Sequence, residues 1–348
     1  MALILQVMIA DLRSDTVTQP TPAMKQAMWA APLGDDVFGE DPTVNKLEEK
    51  CASLLGMDAA VFCPSGTMTN QIGIKVLTRP YEEVICYKGA HIYKYEGGGL
   101  AGTSGVSVRL LEGDRGRIRV SEIEPNINNS KDAHQPLTTV VALENTVVRE
   151  AGSFYTLDQV VAISTFARSR GLHMHLDGAR LFNALAETGD SPQVYGQHFD
   201  TISICLSKGL GAPVGSVLVC KKELAPAVRR MRKVLGGGMR QAGLLAAAGI
   251  YALDHHRERL KEDHARARAL ANALNGKPWV AAVMPVDTNI VIFTLADGIL
   301  PEQWLTRMNE KGVRALAFGA QQIRFVTHLD FTDAMLEHTV RVIQQLTL

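Results

Sequence analysis

Short apolar runs alternating with amphipathic stretches constrain this chain's fold more than any other feature. Apolar runs of strand length lie at Ala59–Cys63, Glu83–Tyr87, Val106–Leu111, Thr138–Leu143, Leu172–Leu176, Thr201–Leu206 and Ser216–Cys220. Unbroken apolar runs are the mark of strands buried on both faces, and parallel neighbours need crossover segments between them. The pattern therefore predicts a mostly parallel sheet covered by helices. Helical spacing recurs at Thr43–Leu55, Thr67–Leu77 and Leu157–Arg170, with Gly171 placed where a helix C-cap falls. Met239–Asn275 reads as one or two long helices, broken by Asn275-Gly276-Lys277-Pro278. Beyond it, Asn289–Leu295 and Gln322–Val326 read as strands around a helix at Pro301–Lys311, and Thr332–Leu346 closes the chain as a helix. The expected fold class is α/β. An N-terminal arm (1–20) precedes a large domain (21–250), followed by a linking helix and a small C-terminal α+β domain (251–348).

Charge and cysteine usage narrow the function classes. Lys+Arg and Asp+Glu both total 36, so the formal charge is zero, which argues against a nucleic-acid or anionic-membrane partner. The basic run Arg229-Arg230-Met231-Arg232-Lys233 reads as a solvated or interfacial helix face. Five cysteines are scattered without a C-x-x-C pair, which fits a reduced cytoplasmic enzyme with neither disulfide framework nor zinc site. Met1–Ala10 is nearly all apolar but lacks a basic flank and is too short to span a bilayer; Met8 serves equally well as the start, with residues 1–7 an extension.

Three motifs carry chemistry. In Ile204-Cys205-Leu206-Ser207-Lys208-Gly209-Leu210-Gly211 an apolar strand ends in a lysine and a glycine-rich turn. That position is the carboxyl edge of an open α/β sheet, where ligands bind. An amine losing hydration there is suited to a Schiff base with a carbonyl cofactor. In His173-Met174-His175-Leu176-Asp177-Gly178-Ala179-Arg180 a strand ends in an aspartate about one strand–helix–strand unit before Lys208. A carboxylate there matches the ring nitrogen of pyridoxal 5'-phosphate, which must stay protonated to act as an electron sink. His173 and His175 share one face at strand spacing, but without a third ligand they read as structural, and no metal is expected. Pro64-Ser65-Gly66-Thr67 follows a strand and opens a helix, an anion site suited to a phosphate. It is not a Walker motif. Singly each motif has a bland reading: surface lysine, helix cap, turn. Together they favour the cofactor.

The combination resembles the fold-type-I pyridoxal-phosphate enzymes, and among them the low-specificity L-threonine aldolases. The matching stretches are Asp11-Leu12-Arg13-Ser14-Asp15-Thr16-Val17-Thr18, Gly34–Thr43, Pro64–Thr67, Leu143-Glu144-Asn145-Thr146, Leu176–Arg180, Leu206–Gly211, Gly236–Gln241 and Arg324–Asp330. The resemblance implies an aspartate-aminotransferase-like large domain and cleavage of threonine-like β-hydroxy-α-amino acids to glycine and an aldehyde. It implies roles as well: Lys208 as the Schiff-base lysine, Asp177 at the pyridine nitrogen, Ser65, Gly66 and Thr67 around the phosphate, and His91 stacked on the ring. Ser14, Arg180 and Arg324 are then expected to hold the substrate carboxylate, with Arg180 also near the cofactor's phenolic oxygen. Arg240 is expected at the phosphate of a neighbouring subunit, in a homo-oligomer (dimer or dimer of dimers) with shared active sites. His134 is expected beside the substrate hydroxyl, and His91, His134 or a bound water is the base. Phe38 stands where relatives often have tyrosine, and Val147–Gly152 departs from the polar sequence usual after Glu-Asn-Thr. A β-eliminating lyase or an aminotransferase on the same fold is the nearest alternative; a non-catalytic binding protein is disfavoured by intact Lys208, Asp177 and Arg324.

Overall fold

The computed structural model describes residues 8–347; the apolar residues before Met8, read above as an extension, lie outside the described residues. In chain order the strands are β1 (Ala10–Asp11), β2 (Ala59–Cys63), β3 (Glu83–Tyr87), β4 (Ser107–Leu111), β5 (Thr138–Glu144), β6 (His173–Gly178), β7 (Thr201–Cys205), β8 (Ser216–Cys220), β9 (Val280–Val283), β10 (Ile290–Leu295), β11 (Val313–Arg314), β12 (Leu316–Ala317) and β13 (Gln322–Val326).

Strands β2 to β8 form one sheet in the order β2-β8-β7-β6-β5-β3-β4. The pairs β3·β4, β3·β5, β5·β6 and β6·β7 are parallel, whereas β8 runs antiparallel to both its neighbours. Every residue of β3, β7 and β8 is buried, as the continuous apolar runs require of strands covered on both faces. Reversal of β8 alone leaves β2, β3, β5, β6 and β7 pointing the same way. Their carboxyl ends therefore share one edge of the sheet.

A second sheet, β12-β13-β10-β9, is antiparallel throughout. Its own core stacks Trp279, Phe293, Trp304 and Phe325, with the Phe293 ring 5.4 Å from both Trp304 and Phe325. The sequence reading found β10 and β13 but not β9, β11 or β12, which are short and partly exposed. Met239–Asn275 holds two helices, Gly243–His255 and Leu260–Leu274. Leu253 and Leu260 pack into the larger core, Ala267 to Leu274 into the smaller.

The arm does not stand apart. β1 pairs in parallel with β11, the Val326 N–H donates to the Leu12 carbonyl at 2.9 Å, and Ala10 and Leu12 are buried in the smaller core. The basic run also differs from expectation. Arg232 is buried, paired with Asp36 at 2.9 Å and donating to the Phe62 carbonyl, and Arg229 pairs with Glu48. A guanidinium taken out of water is tolerated only with such partners. Arg230 and Lys233 remain exposed.

Candidate active site

Five segments converge on the shared strand edge, each because a strand ends there: Ser65 after β2, His91 after β3, Asn145 after β5, Asp177 in β6 and Lys208 after β7. Asp177 is almost fully buried. Its Oδ2 accepts from Asn70 Nδ2 at 3.0 Å and its Oδ1 from the Ala179 N–H at 3.1 Å. Asn70 also donates to Glu96 Oε1, and its own carbonyl oxygen faces His175 Nε2 at 3.2 Å. Burial pushes the His175 imidazole down to about 4, so it stands neutral behind the aspartate, bonded to Thr201 on its other side. Both ring nitrogens of His175 thus face protein groups, Asn70 and Thr201. His173 is half exposed, near Asp200.

His91, Glu96 and Asp177 bring metal-type ligand atoms within 4.8 Å of one another. Asn70 Nδ2 already bridges the two carboxylates, so the group works as a hydrogen-bond relay. His91 Nδ1 lies 3.0 Å from Glu96 Oε1, and the His91 N–H donates to Glu144 Oε2. Burial works against protonating His91, but the Glu96 bond and the Asp177 charge outweigh it and hold the imidazole above its ordinary value. Burial, reinforced by the charge of Asp177, pushes Glu144 up to about 7.

Lys208 sits in a tight turn whose glycines are required. Gly211 and Gly215 have φ of +79° and +116°, and a Cβ on Gly215 would meet the Phe62 ring at 2.5 Å. The Gly211 N–H closes the turn onto the Lys208 carbonyl at 2.8 Å. Beside it, buried Arg180 makes a two-point contact with Asp15, Nε–Oδ2 2.7 Å and Nη2–Oδ1 2.6 Å. Burial would raise Asp15, yet the Arg180 charge and hydrogen bond, with Lys208 and Arg324 nearby, bring it down to about 2. The expectation that Arg180 holds the substrate carboxylate is thereby narrowed. Two of its nitrogens are committed to Asp15, leaving Nη1 without a protein acceptor among the described residues.

Arg324, on β13, comes from the smaller sheet. Its Nη2 donates to the Arg13 carbonyl at 3.1 Å, while its buried Nε has no partner. Burial and the Arg180 charge bring it down to about 10. Ser14 is adjacent in the arm and caps the short helical turn Asp15–Val17, accepting from the Thr16 N–H. At the other side of the edge, Ser65 caps the helix Gly66–Leu77 by accepting from the Met68 N–H. Its first turn points N–H groups outward, and Ser216 Oγ, buried without a partner, is the nearest atom that a Cβ on Gly66 would meet, at 3.4 Å. Open N–H groups, an orphaned hydroxyl and small residues suit a phosphate.

Two residues named from the resemblance lie away from this place, of which Arg240 was expected at a neighbouring subunit's phosphate and not here. His134 precedes β5 instead of following it, so it belongs to the opposite, amino edge of the sheet. Asn128 of the same loop donates to Glu83 Oε1 at the start of β3. The His134 side chain is 96% exposed and meets only Asp132. The expectation that it lies by the substrate hydroxyl is corrected for the site of a single chain, since a strand of seven residues separates the two edges by roughly 20 Å. Arg240 is exposed and paired with Asp35 at 3.2 Å.

Sequence reasoning missed Asp15, Asn70, Glu96 and Glu144 as site residues. Glu144 lay within a quoted motif and ends a strand, and Asn70 follows Ser65 on the same helix. Asp15 also lay within a quoted stretch, but its pairing with Arg180, 165 residues away, left no mark in the sequence.

A seven-stranded sheet with one reversed strand, an aspartate in one strand tip and a lysine beyond the next define the fold of the fold-type-I pyridoxal-phosphate enzymes. The chain belongs to the Beta-eliminating lyase family, which it matches over residues 11–298. It is 38% identical over 342 residues to a probable low-specificity L-threonine aldolase of Arabidopsis thaliana, covering 97% of this chain and 96% of that protein. To the low specificity L-threonine aldolase of Escherichia coli it is 40% identical over 329 residues, covering 94% and 96%. The solved threonine aldolase of Leishmania major superposes with a TM-score of 0.83 at 23% identity, covering 96% of this chain and 98% of that one.

Proposed function

We infer that this chain cleaves the Cα–Cβ bond of L-threonine and related β-hydroxy-α-amino acids, giving glycine and an aldehyde, with pyridoxal phosphate as cofactor. The observation that carries the reading is the meeting of Asp177 and Lys208 on one sheet edge with the unpartnered Nε of Arg324 from the smaller sheet. When bound, the cofactor supplies a conjugated pyridinium that accepts the electron pair of a bond broken at the amino acid's Cα.

The chain's own groups do the rest. Asp177 Oδ2, kept in place by Asn70, holds the proton of the ring nitrogen. Lys208 would supply the amine that holds the cofactor's aldehyde, and the N–H groups opening the helix at Gly66 and Thr67 would hold its phosphate, with Ser65 and Ser216 beside them. Arg324 takes the substrate carboxylate with its free nitrogens, a fork suited to a planar anion, and Ser14 steadies it. Fixing that carboxylate decides which bond at Cα stands perpendicular to the ring, and so which reaction occurs. His91 would stack on the bound ring, and its Nε2, free of protein partners among the described residues, would receive the hydroxyl proton of the substrate.

The same reading includes a cytoplasmic homo-oligomer, a dimer or dimer of dimers with shared sites. The five buried free cysteines suit a reducing compartment. Exposed Arg240 stands near Phe38 and Val37, also exposed, a surface suited to cover by a second copy.

The test is product analysis of the purified, pyridoxal-phosphate-loaded protein with L-threonine and L-allo-threonine. Acetaldehyde with equimolar glycine is expected, and Lys208→Ala should lose both this activity and the visible absorbance of the bound cofactor. Release of 2-oxobutyrate and ammonia instead would identify β-elimination.

A further inference from the structure

A cleft of about 720 Å³, lined by Tyr95, Arg149 and Gln322, opens between the sheet edge and the smaller sheet. Its wall is continuous with the site. The Tyr95 ring lies 5.7 Å from that of His91, tilted by 41°. Arg149 Nη1 donates to Tyr95 Oη at 3.2 Å and to the Phe318 carbonyl at 2.8 Å. The Arg149 guanidinium lies 4.4 Å from the centre of the Phe318 ring, and the Arg324 guanidinium 4.7 Å from the same centre. The two guanidinium carbons are therefore no more than about 9 Å apart. Gln322, two residues before Arg324 on β13, lines the cleft from the same strand face.

The charges in this cleft are unbalanced. Lys88 is paired with Glu112 at 2.6 Å, and Glu150 accepts the Tyr87 hydroxyl at 2.5 Å. Among the described residues Arg149 and Lys94 have no carboxylate partner. Two guanidiniums on one ring, one of them with an orphaned buried nitrogen, together with Lys94 outnumber the one carboxylate lining the cleft, Glu150, whose charge the Tyr87 hydroxyl does not cancel.

We propose that this cleft receives the β-substituent of the substrate and that Arg149 selects β-hydroxy-α-amino acids bearing a second carboxylate. The inference rests on the aldolase reading above. A four-carbon dicarboxylic amino acid spans the interval when its α-carboxylate takes Arg324 and its distal carboxylate takes Arg149. For 3-hydroxyaspartate the chemistry is the same cleavage: the Cα–Cβ bond breaks, the hydroxyl proton leaves, a proton arrives at Cα, and the products are glycine and glyoxylate.

The experiment compares kcat/KM for L-3-hydroxyaspartate and L-threonine in the loaded enzyme, in Arg149→Leu and in Arg149→Lys. Binding of L-aspartate and L-alanine, which lack the β-hydroxyl, is followed separately by the change in visible absorbance. The dicarboxylate should be favoured by about tenfold or more in the wild type, in line with one charge-assisted contact. Arg149→Leu should lower that ratio, and the aspartate-to-alanine affinity ratio, by about the same factor through KM, with partial recovery in Arg149→Lys. Ratios unchanged in Arg149→Leu, with threonine still cleaved, overturn the role of Arg149. A wild type that does not cleave threonine at all sinks the aldolase reading instead, and the aspartate titration then still reports on Arg149.

Discussion

Arg324 presents a partly buried guanidinium whose buried Nε has no partner among the described residues, a costly arrangement for a group that is not waiting for an anion. Arg324→Ala should retain the cofactor's absorbance while raising the threonine KM about 10- to 100-fold; an unchanged KM would remove it from the carboxylate grip. Asp15 is a different kind of residue, buried solely among cations and amides. Its folded-state value of about 2 lies below the ordinary 3.8, so its stabilisation is complete above about pH 4 and is lost as pH falls toward 2. Thermal unfolding followed across that range should show the loss in the wild type and not in Asp15→Asn. At neutral pH that variant should be less stable by about 3–5 kcal/mol, because Arg180 stays buried without its counter-charge. Glu144 has the opposite sign. Raised to about 7, it favours folding while protonated, and that contribution fades as pH climbs from about 4.5 through 7. Glu144→Gln should flatten this slope in the melting temperature.

At the scale of elements, the central sheet was readable because strands covered on both faces are written as unbroken apolar runs, and six of the seven strand boundaries read from Ala59 to Cys220 moved by no more than one residue; the other, Leu172–Leu176, ends two residues later, at Gly178. The lysine and aspartate were readable for the same reason: a residue at a strand's carboxyl end has a known address. The place of His134 was not read, although it precedes the run Thr138–Leu143 and so joins the amino edge; the resemblance, not the strand order, had assigned it. Nor were β9, β11 and β12, two to four residues long and partly solvated, which follow no period that outlasts their length. The turn holding Lys208 was visible as glycines, but the closeness of the Phe62 ring to Gly215 was not. Gly215→Ala should lower stability by about 1–3 kcal/mol in denaturant unfolding and misplace Lys208, so that cofactor absorbance weakens as well. Stability and spectrum both unchanged would mean that the turn yields easily.

Taken whole, the molecule has two main apolar cores, linked by the helix Leu260–Leu274, and an N-terminal arm that packs into the smaller one. Leu12 is buried in the smaller core with Trp279 and Trp304, while Trp29 is 81% exposed elsewhere. Leu12→Ala should lower stability by about 2–5 kcal/mol and bring forward the change in tryptophan emission on denaturation. Emission that tracks the wild type would mean the arm is held by its backbone pairing alone. The arm also sets an order of assembly. The Arg13 carbonyl and Arg324, which hold one another across 311 residues, come from segments the ribosome makes nearly a full polypeptide apart. A nascent chain can close its central sheet, with Asp177 and Lys208 in place, long before any pocket for an amino acid's carboxylate exists, so competence to recognise substrate trails the strand tips that serve the chemistry.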